Sequence, residues 1–372
     1  MRTDGPRVAI TTDWLTSFGG GERVVEQLIG LFPTAPVYTS VFDPSRVPAH
    51  LRSWDVRPSA LQHLPGARRY SRALLPLMPW AFRRFDFSHY DVVISASSAF
   101  SKSVETSGAT KNICYCHTPP RYLWDLHEEY VERMPLSATL KPVVSWLRER
   151  DREAATLVHQ FVANSAHVAG RIERTYGRHA TVVHPPVDTD RVRPNGRQPE
   201  DFYLVVARLV PYKRIDLAVR ACTALRRRLL VVGAGPEERR LKRMAGSTVR
   251  FLGELPDSTV GALYARCAAF LFPGCEDFGI SAVEAQSAGR PVVAFARGGA
   301  VETVVDGVTG ILFERQTVDA VISAIERLDR SEIAPDACRQ NALRFDASVF
   351  RSRMRSMIGS VLDGGAENQA SS

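Results

Sequence analysis

Glu276-Asp277-Phe278-Gly279-Ile280-Ser281-Ala282-Val283-Glu284 is the stretch on which the fold turns. It follows the apolar, strand-like run 268–272, closed by the turn residues Pro273 and Gly274. A helical pattern over 282–288 follows and stops before Gly289. Strand, loop and helix in that order are the repeating piece of a parallel α/β sheet. One carboxylate, Glu276, lies in the loop at the strand's end, a second, Glu284, lies in the helix, and Gly279 lets a ligand approach the backbone. A helix start exposes unpaired N–H groups and the positive end of a dipole, which favours a phosphate. Carboxylates beside a phosphate are badly placed to hold it and well placed to accept hydrogen bonds from sugar hydroxyls. The segment reads as a nucleotide-sugar site.

At 372 residues the chain is too long for one simple core and suggests two domains. Its 45% hydrophobic and 24% charged residues are those of a soluble globular protein. No run approaches the ~20 apolar residues that span a bilayer, and the polar N-terminus moves straight into a strand, so no signal peptide is expected. Six scattered cysteines lack a second pair at metal spacing and read as small buried residues in a reducing cytosol. The formal net charge of +8 points to an anionic partner, a diphosphate or an anionic lipid headgroup. Nucleic acid is not expected, because no helix-turn-helix, zinc or RNA-binding aromatic signature is present.

Strand-like runs at 8–12, 91–95, 111–115, 160–163 and 181–183 alternate with loops and helical patterns in the first half. After a polar stretch with Pro194, Gly196 and Pro199, alternation restarts at 203–207, 229–232, 249–252, 270–272 and 291–295. Two such halves imply two Rossmann-like parallel-sheet domains facing across a cleft, an α/β architecture. The expected boundaries are 1–187, a linker at 188–200, and 201–347. A helix over 348–362 is expected to pack back onto the first domain, with a disordered tail at 363–372. Ligands in such sheets bind beyond the carboxyl ends of the strands, where the glycine loops lie.

Arg208 and Lys213 follow a strand directly and suit one anion, the arginine as a planar fork and the lysine as a point charge. Their task would be to neutralise charge developing on a departing diphosphate. Gly20 and Gly21, in the triplet 19–21 before a helix, would set backbone N–H groups against a phosphate; GxGxxG is absent there. Gly235, after the strand at 229–232, allows a tight turn or brings backbone near the nucleotide. The sole metal candidate, the DxD of Asp188 and Asp190, sits in the expected linker rather than at a strand end, so no metal site is assigned. All nine histidines precede residue 190. Among them His117 ends a strand and is projected by the rigid turn at Pro119 and Pro120, suited to orient a sugar hydroxyl or steady charge at the reacting carbon.

Residues 57–84 carry Arg57, Arg68, Arg69, Arg72, Arg83 and Arg84 interleaved with Leu74, Leu75, Leu77, Met78, Trp80 and Phe82, and no acidic residue. Two readings stand: an anionic membrane surface, or a core-packed helical hairpin with a basic outer face.

Four motifs in order carry a family resemblance over nearly the full chain: 116–125, beginning Cys-His-Thr-Pro-Pro; Arg208 with 211–216; 272–284; and 298–304, beginning Gly-Gly-Ala-Val-Glu. With these the chain resembles the retaining GT-B glycosyltransferases of family GT4, and bacterial mannosyltransferases of O-antigen and other surface polysaccharides most of all. The resemblance implies that Glu276 contacts the donor hexose and Glu284 the ribose. It implies that Arg208 and Lys213 grip the diphosphate, that Phe278, Gly279 and Ile280 supply backbone contacts, and that His117 faces the donor sugar. It implies no metal or other cofactor, and transfer with retained anomeric configuration through a front-face reaction. Cys275 stands where the family often has Ala or Ser. The expectation is a mannosyltransferase using GDP-mannose on a lipid-linked or growing glycan, cytoplasmic and peripheral at the inner face of the plasma membrane. The alternatives are a UDP-sugar transferase or epimerase, or a silent GT-B subunit that binds a partner or membrane. A dehydrogenase is disfavoured by the missing dinucleotide fingerprint.

Overall fold

A computed structural model describes residues 5–125 and 137–367. The chain forms two compact units: the first runs to His184 and takes back the chain from Phe350, and the second is Pro185–Val349.

In the first unit the strands are β1 (Val8–Thr12), β2 (Val37–Thr39), β3 (Val56–Pro58), β4 (Val92–Ser97), β5 (Lys111–Cys116), β6 (Gln160–Ala163) and β7 (Ala180–Val182). They form one sheet in the order β3-β2-β1-β4-β5-β6-β7, parallel throughout. The second unit contributes β8 (Tyr203–Val206), β9 (Leu229–Val232), β10 (Val249–Gly253), β11 (Ala269–Phe272), β12 (Val292–Phe295) and β13 (Gly310–Phe313). Their order is β10-β9-β8-β11-β12-β13, again all parallel. The central strands are buried on both faces, as helix-covered parallel sheets require, so they read as continuous apolar runs. β2, β3 and β13, which the strand pattern did not show, are only three or four residues long and stand at or next to a sheet edge.

Each sheet winds one way from its first strand and then the other, which creates a switch point between β1 and β4 and another between β8 and β11. Loops leaving neighbouring strands diverge there and open a crevice beyond their carboxyl ends. Fold alone therefore selects the residues after Thr12 and Ser97 in one unit, and after Val206 and Phe272 in the other.

The stretch expected as a linker is packed into the second unit. Val192 is buried in that unit's core, and the Thr189 hydroxyl donates to Asp346 at 2.6 Å. Ser287 Oγ donates to the carbonyls of Thr189 and Val192 at 3.0 and 2.7 Å. The final helix, Ala347–Glu367, inserts Phe350, Met354, Met357 and Ile358 into the core beside β1 and β4. It continues through 363–367, a correction to the tail expected from 363; residues 368–372 lie outside the described part. Small and polar residues gave that last turn the look of a tail, but a helix docked by an apolar face upstream extends at little further entropic cost.

Candidate active site

The second unit's switch point is built from the loops after β8 and β11. The first of these passes Arg208, makes a 3-10 turn at Pro211–Lys213 and turns sharply at Arg214, whose φ of 50° is left-handed, before the helix Ile215–Ala224. A non-glycine residue in that region is uncommon and tends to occur where function fixes the backbone. The second loop comes close: a Cβ on Gly274 would lie 2.9 Å from the Lys213 Cα. Across that approach Lys213 Nζ forms an ion pair with Glu276 Oε2, each side chain 16% exposed. The Arg208 side chain is exposed and has no ion-pair partner among the described residues. The fold thus brings two of the predicted groups into contact and leaves a third exposed.

Glycines set this loop's position. Gly298 has a φ of +71°, and a Cβ there would stand 2.2 Å from the Glu276 carbonyl oxygen; one on Gly299 would stand 2.2 Å from the Phe278 Cα. The Gly299 N–H donates to the Glu276 carbonyl at 2.8 Å. The paired glycines at the head of the 298–304 motif thus hold the Glu276 loop by direct backbone contact. Gly279, with a φ of +97°, caps the helix Ile280–Ser287, and a Cβ on it would meet the Phe272 ring at 2.7 Å. The Phe278 side chain is buried edge-on against Phe345 with centroids 5.3 Å apart, so only its backbone is available to a ligand. Ile280, the first helical residue, is partly buried against the same cluster.

Glu284, in that helix, is held on both oxygens. Arg191 Nη2 pairs with Oε1, and the Tyr264 hydroxyl donates to Oε2 at 3.2 Å. Burial, and then the neighbouring carboxylate, push the Tyr264 phenol well above its usual pKa, so it remains a donor. Sequence reading missed Arg191 and Tyr264. One lay in a polar stretch and the other in an ordinary helical pattern, and neither spacing points to Glu284. Gly235 has its own steric reason: a Cβ would lie 2.3 Å from the Leu209 carbonyl oxygen. It also lines a pocket of about 500 Å³ with Pro236, Glu238, Arg239 and Lys242.

In the first unit, the His117 ring lies against Gly21, where a Cβ would be 3.6 Å from Nε2, and edge-on to Tyr115 at 5.3 Å. The His117 main-chain N–H donates to the Ser97 carbonyl at 2.9 Å, and its carbonyl accepts from Asn164 Nδ2 at 2.9 Å. The helix Gly20–Leu31 starts at the glycine triplet; Gly20 is exposed, and the Gly19 N–H donates to Glu22 Oε2 at 2.9 Å. Burial raises the Glu22 carboxyl above its ordinary value despite that bond. Asp13, which sequence reading did not single out, ties the switch point together. Its buried carboxylate accepts the N–H groups of Ser98, Ala99, Phe100 and Ser101 at 2.6 to 2.9 Å. A lone aspartate after a strand gives no sign that it will cap a loop some ninety residues on.

Residues 57–84 divide between core and surface. Leu61, Ala67, Met78, Ala81 and Phe82 enter the core, while Leu64, Tyr70, Leu77 and Trp80 are 40 to 60% exposed. Arg84 stacks over Trp80 at 4.4 Å and Arg69 over Tyr70 at 5.4 Å. The expected helical hairpin is instead two 3-10 turns, Ala60–His63 and Ser71–Leu77, and a short helix, Met78–Arg83. Pro65, Pro76 and Pro79 deny a continuous α-helix its N–H donors.

Asp188 Oδ1 accepts the Arg191 N–H at 3.0 Å, and Asp190 pairs with Arg193 at 2.6 Å. Among the described residues no cluster of three or more His, Cys, Asp or Glu side chains is arranged to hold a metal. None of the six cysteines is in a disulfide, and Cys275 is the least buried. Among the described residues no helix is long and apolar enough to cross a membrane.

Two doubly wound parallel units, with charged groups gathered beyond the strand ends at a switch point, define the GT-B class of fold. Solved structures agree at the level of fold. A sucrose-phosphate synthase from Thermosynechococcus elongatus superposes with a TM-score of 0.75 at 18% identity, covering 96% of this chain and 100% of that one. Anabaena HepE in complex with UDP and glucose gives 0.71 at 18% identity over the same shares.

Residues 18–191 match the family described as Glycosyltransferase Family 4, and 187–345 match Glycosyl transferases group 1. The chain belongs to the family 4 glycosyltransferases of GT-B fold. Among curated proteins it is 35% identical over 192 residues to a GDP-mannose-dependent alpha-(1-6)-phosphatidylinositol monomannoside mannosyltransferase of Mycolicibacterium smegmatis, covering 43% of this chain and 50% of that protein. It is 32% identical over 191 residues to a D-inositol 3-phosphate glycosyltransferase of Mycobacterium avium, covering 45% of each. The chain spans about half the length of the curated relatives it matches.

Proposed function

We propose that this chain is a retaining, metal-independent glycosyltransferase that moves mannose from GDP-mannose onto a lipid-linked or growing surface glycan. The observation that carries the reading is the Lys213–Glu276 pair at the switch point between β8 and β11, with the Arg208 side chain exposed nearby in sequence and Glu284 on the following helix. A diphosphate arriving there meets two cations of complementary kind: a compact ammonium and a planar fork. Once the phosphate engages Lys213, Glu276 is released to accept hydroxyls of the hexose. In the front-face step the bond from C1 to the phosphate oxygen breaks, the acceptor oxygen bonds C1 on the same face, and the departing phosphate oxygen takes the acceptor proton. Lys213 and Arg208 gain most as the charge on the diphosphate grows, and gains of that kind lower the barrier. His117, rigidly carried by β5 and seated on Gly21, is assigned to the donor sugar, and the exposed N–H groups at Gly20 to a phosphate.

Mannose and guanine are preferred over a UDP-sugar because the 35%-identical relative is GDP-mannose-dependent, whereas the fold neighbours with UDP are 16 to 18% identical. Thermal-shift measurement with GDP, UDP and ADP and their sugars tests this. At a hundredfold excess over Kd, GDP-mannose is expected to add about 2.7 kcal/mol of stability. A shift with UDP-sugars alone would overturn the donor, and no shift with any of them the activity.

We assign the surface carrying Leu64, Tyr70, Leu77 and Trp80 to an anionic bilayer. Aromatic and aliphatic tips under stacked arginines match its interface in polarity and charge. Flotation with phosphatidylglycerol vesicles is expected to carry the protein up, and Trp80→Ser with Arg84→Ser to reduce this. Equal recovery with neutral vesicles would refute the assignment.

A further inference from the structure

Arg191, Tyr264 and Glu284 come from three separate elements of the second unit and meet in one largely buried cluster. The Arg191 and Glu284 side chains keep 20% and 13% of their exposure, and Tyr264 has none. Besides Glu284, Arg191 reaches Asp257: Nη1 is 3.4 Å from its main-chain oxygen and 3.6 Å from its carboxylate. Asp257 opens the helix Asp257–Arg266 a few residues after β10. One guanidinium therefore couples the carboxylate assigned to the ribose with the start of the helix that follows β10.

We propose that Arg191 is a positioning residue which, with Tyr264, fixes the Glu284 carboxylate to accept the vicinal hydroxyls of a ribose. The inference rests on the nucleotide-sugar reading above and names what gives that site its preference for ribose. An ionised carboxylate offers about four lone-pair sites. Arg191 holds Oε1 and Tyr264 holds Oε2, and this two-sided grip fixes the plane of the carboxylate. Two neighbouring hydroxyls supply two donors at a spacing that matches the two oxygens. With either protein partner removed, the carboxylate can rotate about its terminal bond, which is a soft torsion.

Arg191 is itself held firmly. Its N–H donates to Asp188 Oδ1 at 3.0 Å, and the flanking carbonyls of Thr189 and Val192 accept from Ser287 Oγ. Arg339 Nη1 donates to the Thr189 carbonyl at 2.5 Å. Yet the Arg191 Nε is buried with no hydrogen-bond partner.

Calorimetric titration of the whole chain with GDP and with 2′-deoxy-GDP, and with UDP and 2′-deoxy-UDP in parallel, tests the inference. The wild-type protein is expected to favour the ribonucleotide by roughly 10- to 100-fold, the range for a hydrogen bond to a charged group. Arg191→Met is expected to lose most of that preference by weakening the ribonucleotide alone, and Arg191→Lys to recover part of it. Tyr264→Phe keeps the ring's packing and loses a smaller share, so it decides the matter if Arg191→Met fails to fold. Full ribose preference in a folded Arg191→Met overturns the inference and leaves the nucleotide reading standing; so does an equal loss for both nucleotides. Failure of the wild-type protein to bind either pair overturns both.

Discussion

Lys213→Ala is expected to slow hexose transfer by on the order of 10²-fold or more while leaving the fold intact, the loss typical of removing one preorganised charge from a transition state. The variant removes the ammonium that faces the diphosphate. It also strips Glu276 of the cation that sets its orientation, since the two are paired at equal, partial exposure. Both effects fall on kcat more than on donor affinity, because the lysine's interaction strengthens as charge accumulates on the leaving group. Glu276→Ala should fall by a similar factor, and the double variant by little more than either single one, because residues acting as a unit are not additive. Near-normal kcat with GDP-mannose in a Lys213→Ala protein of unchanged circular dichroism would refute the roles given to both.

Asp151→Ala is expected to cost about 3–5 kcal/mol in the first unit, the price of orphaning a buried partner charge. Asp151 and Lys102 form an ion pair of 2.6 Å with side chains 0% and 2% exposed. Asp151 Oδ2 also accepts from Trp124 Nε1 and the Tyr176 hydroxyl, each at 2.8 Å, and Lys102 Nζ donates to the Ala99 carbonyl at 2.7 Å. The pair thus ties the loop after β4 to the loop after β5 that begins with His117. Burial works against the Lys102 ammonium, but the Asp151 carboxylate and the neighbouring Cys114 and Cys116 together leave its pKa above the usual 10.5. A base whose folded pKa is raised contributes stability that is complete below the unfolded value, here 10.5, and lost as pH rises through the folded one. The loss on Asp151→Ala should therefore be undiminished at neutral pH. Urea unfolding followed by Trp fluorescence measures it, and Lys102→Met with Asp151→Leu should recover part of it, since an apolar pair leaves no unpaired charge while the Trp124 N–H and the Tyr176 hydroxyl still lose their acceptor. A drop smaller than about 1 kcal/mol in the single variant would show the pair to be dispensable.

The α/β class, the two sheets and most strands were legible because parallel strands covered on both faces carry unbroken apolar runs, and turn residues punctuate them. Glu276, Glu284, Arg208 and Lys213 stood out as candidates because each follows a strand end or sits in the next helix, where that class of sheet binds ligands. Illegible were the short strands at the sheet edges and the segment 187–194. Its charges and Pro194 look like a connection, although its carbonyls are bound by Ser287 and Arg339. Proline and glycine mark where the chain turns; they do not say what the turn is bonded to.

Sequence by itself determined the kinds of group available and their order along the chain, because strand and helix periodicity, turn chemistry and charge are local properties. Only the tertiary structure decided which of them meet. Lys213 pairs with Glu276 because β8 and β11 are neighbours. Gly298 and Gly299 hold that loop by backbone contact. Asp13 caps the loop after β4, and Arg191 and Tyr264 share Glu284. Each such contact joins residues tens of positions apart, and strand order, which no local pattern encodes, sets the distance between them.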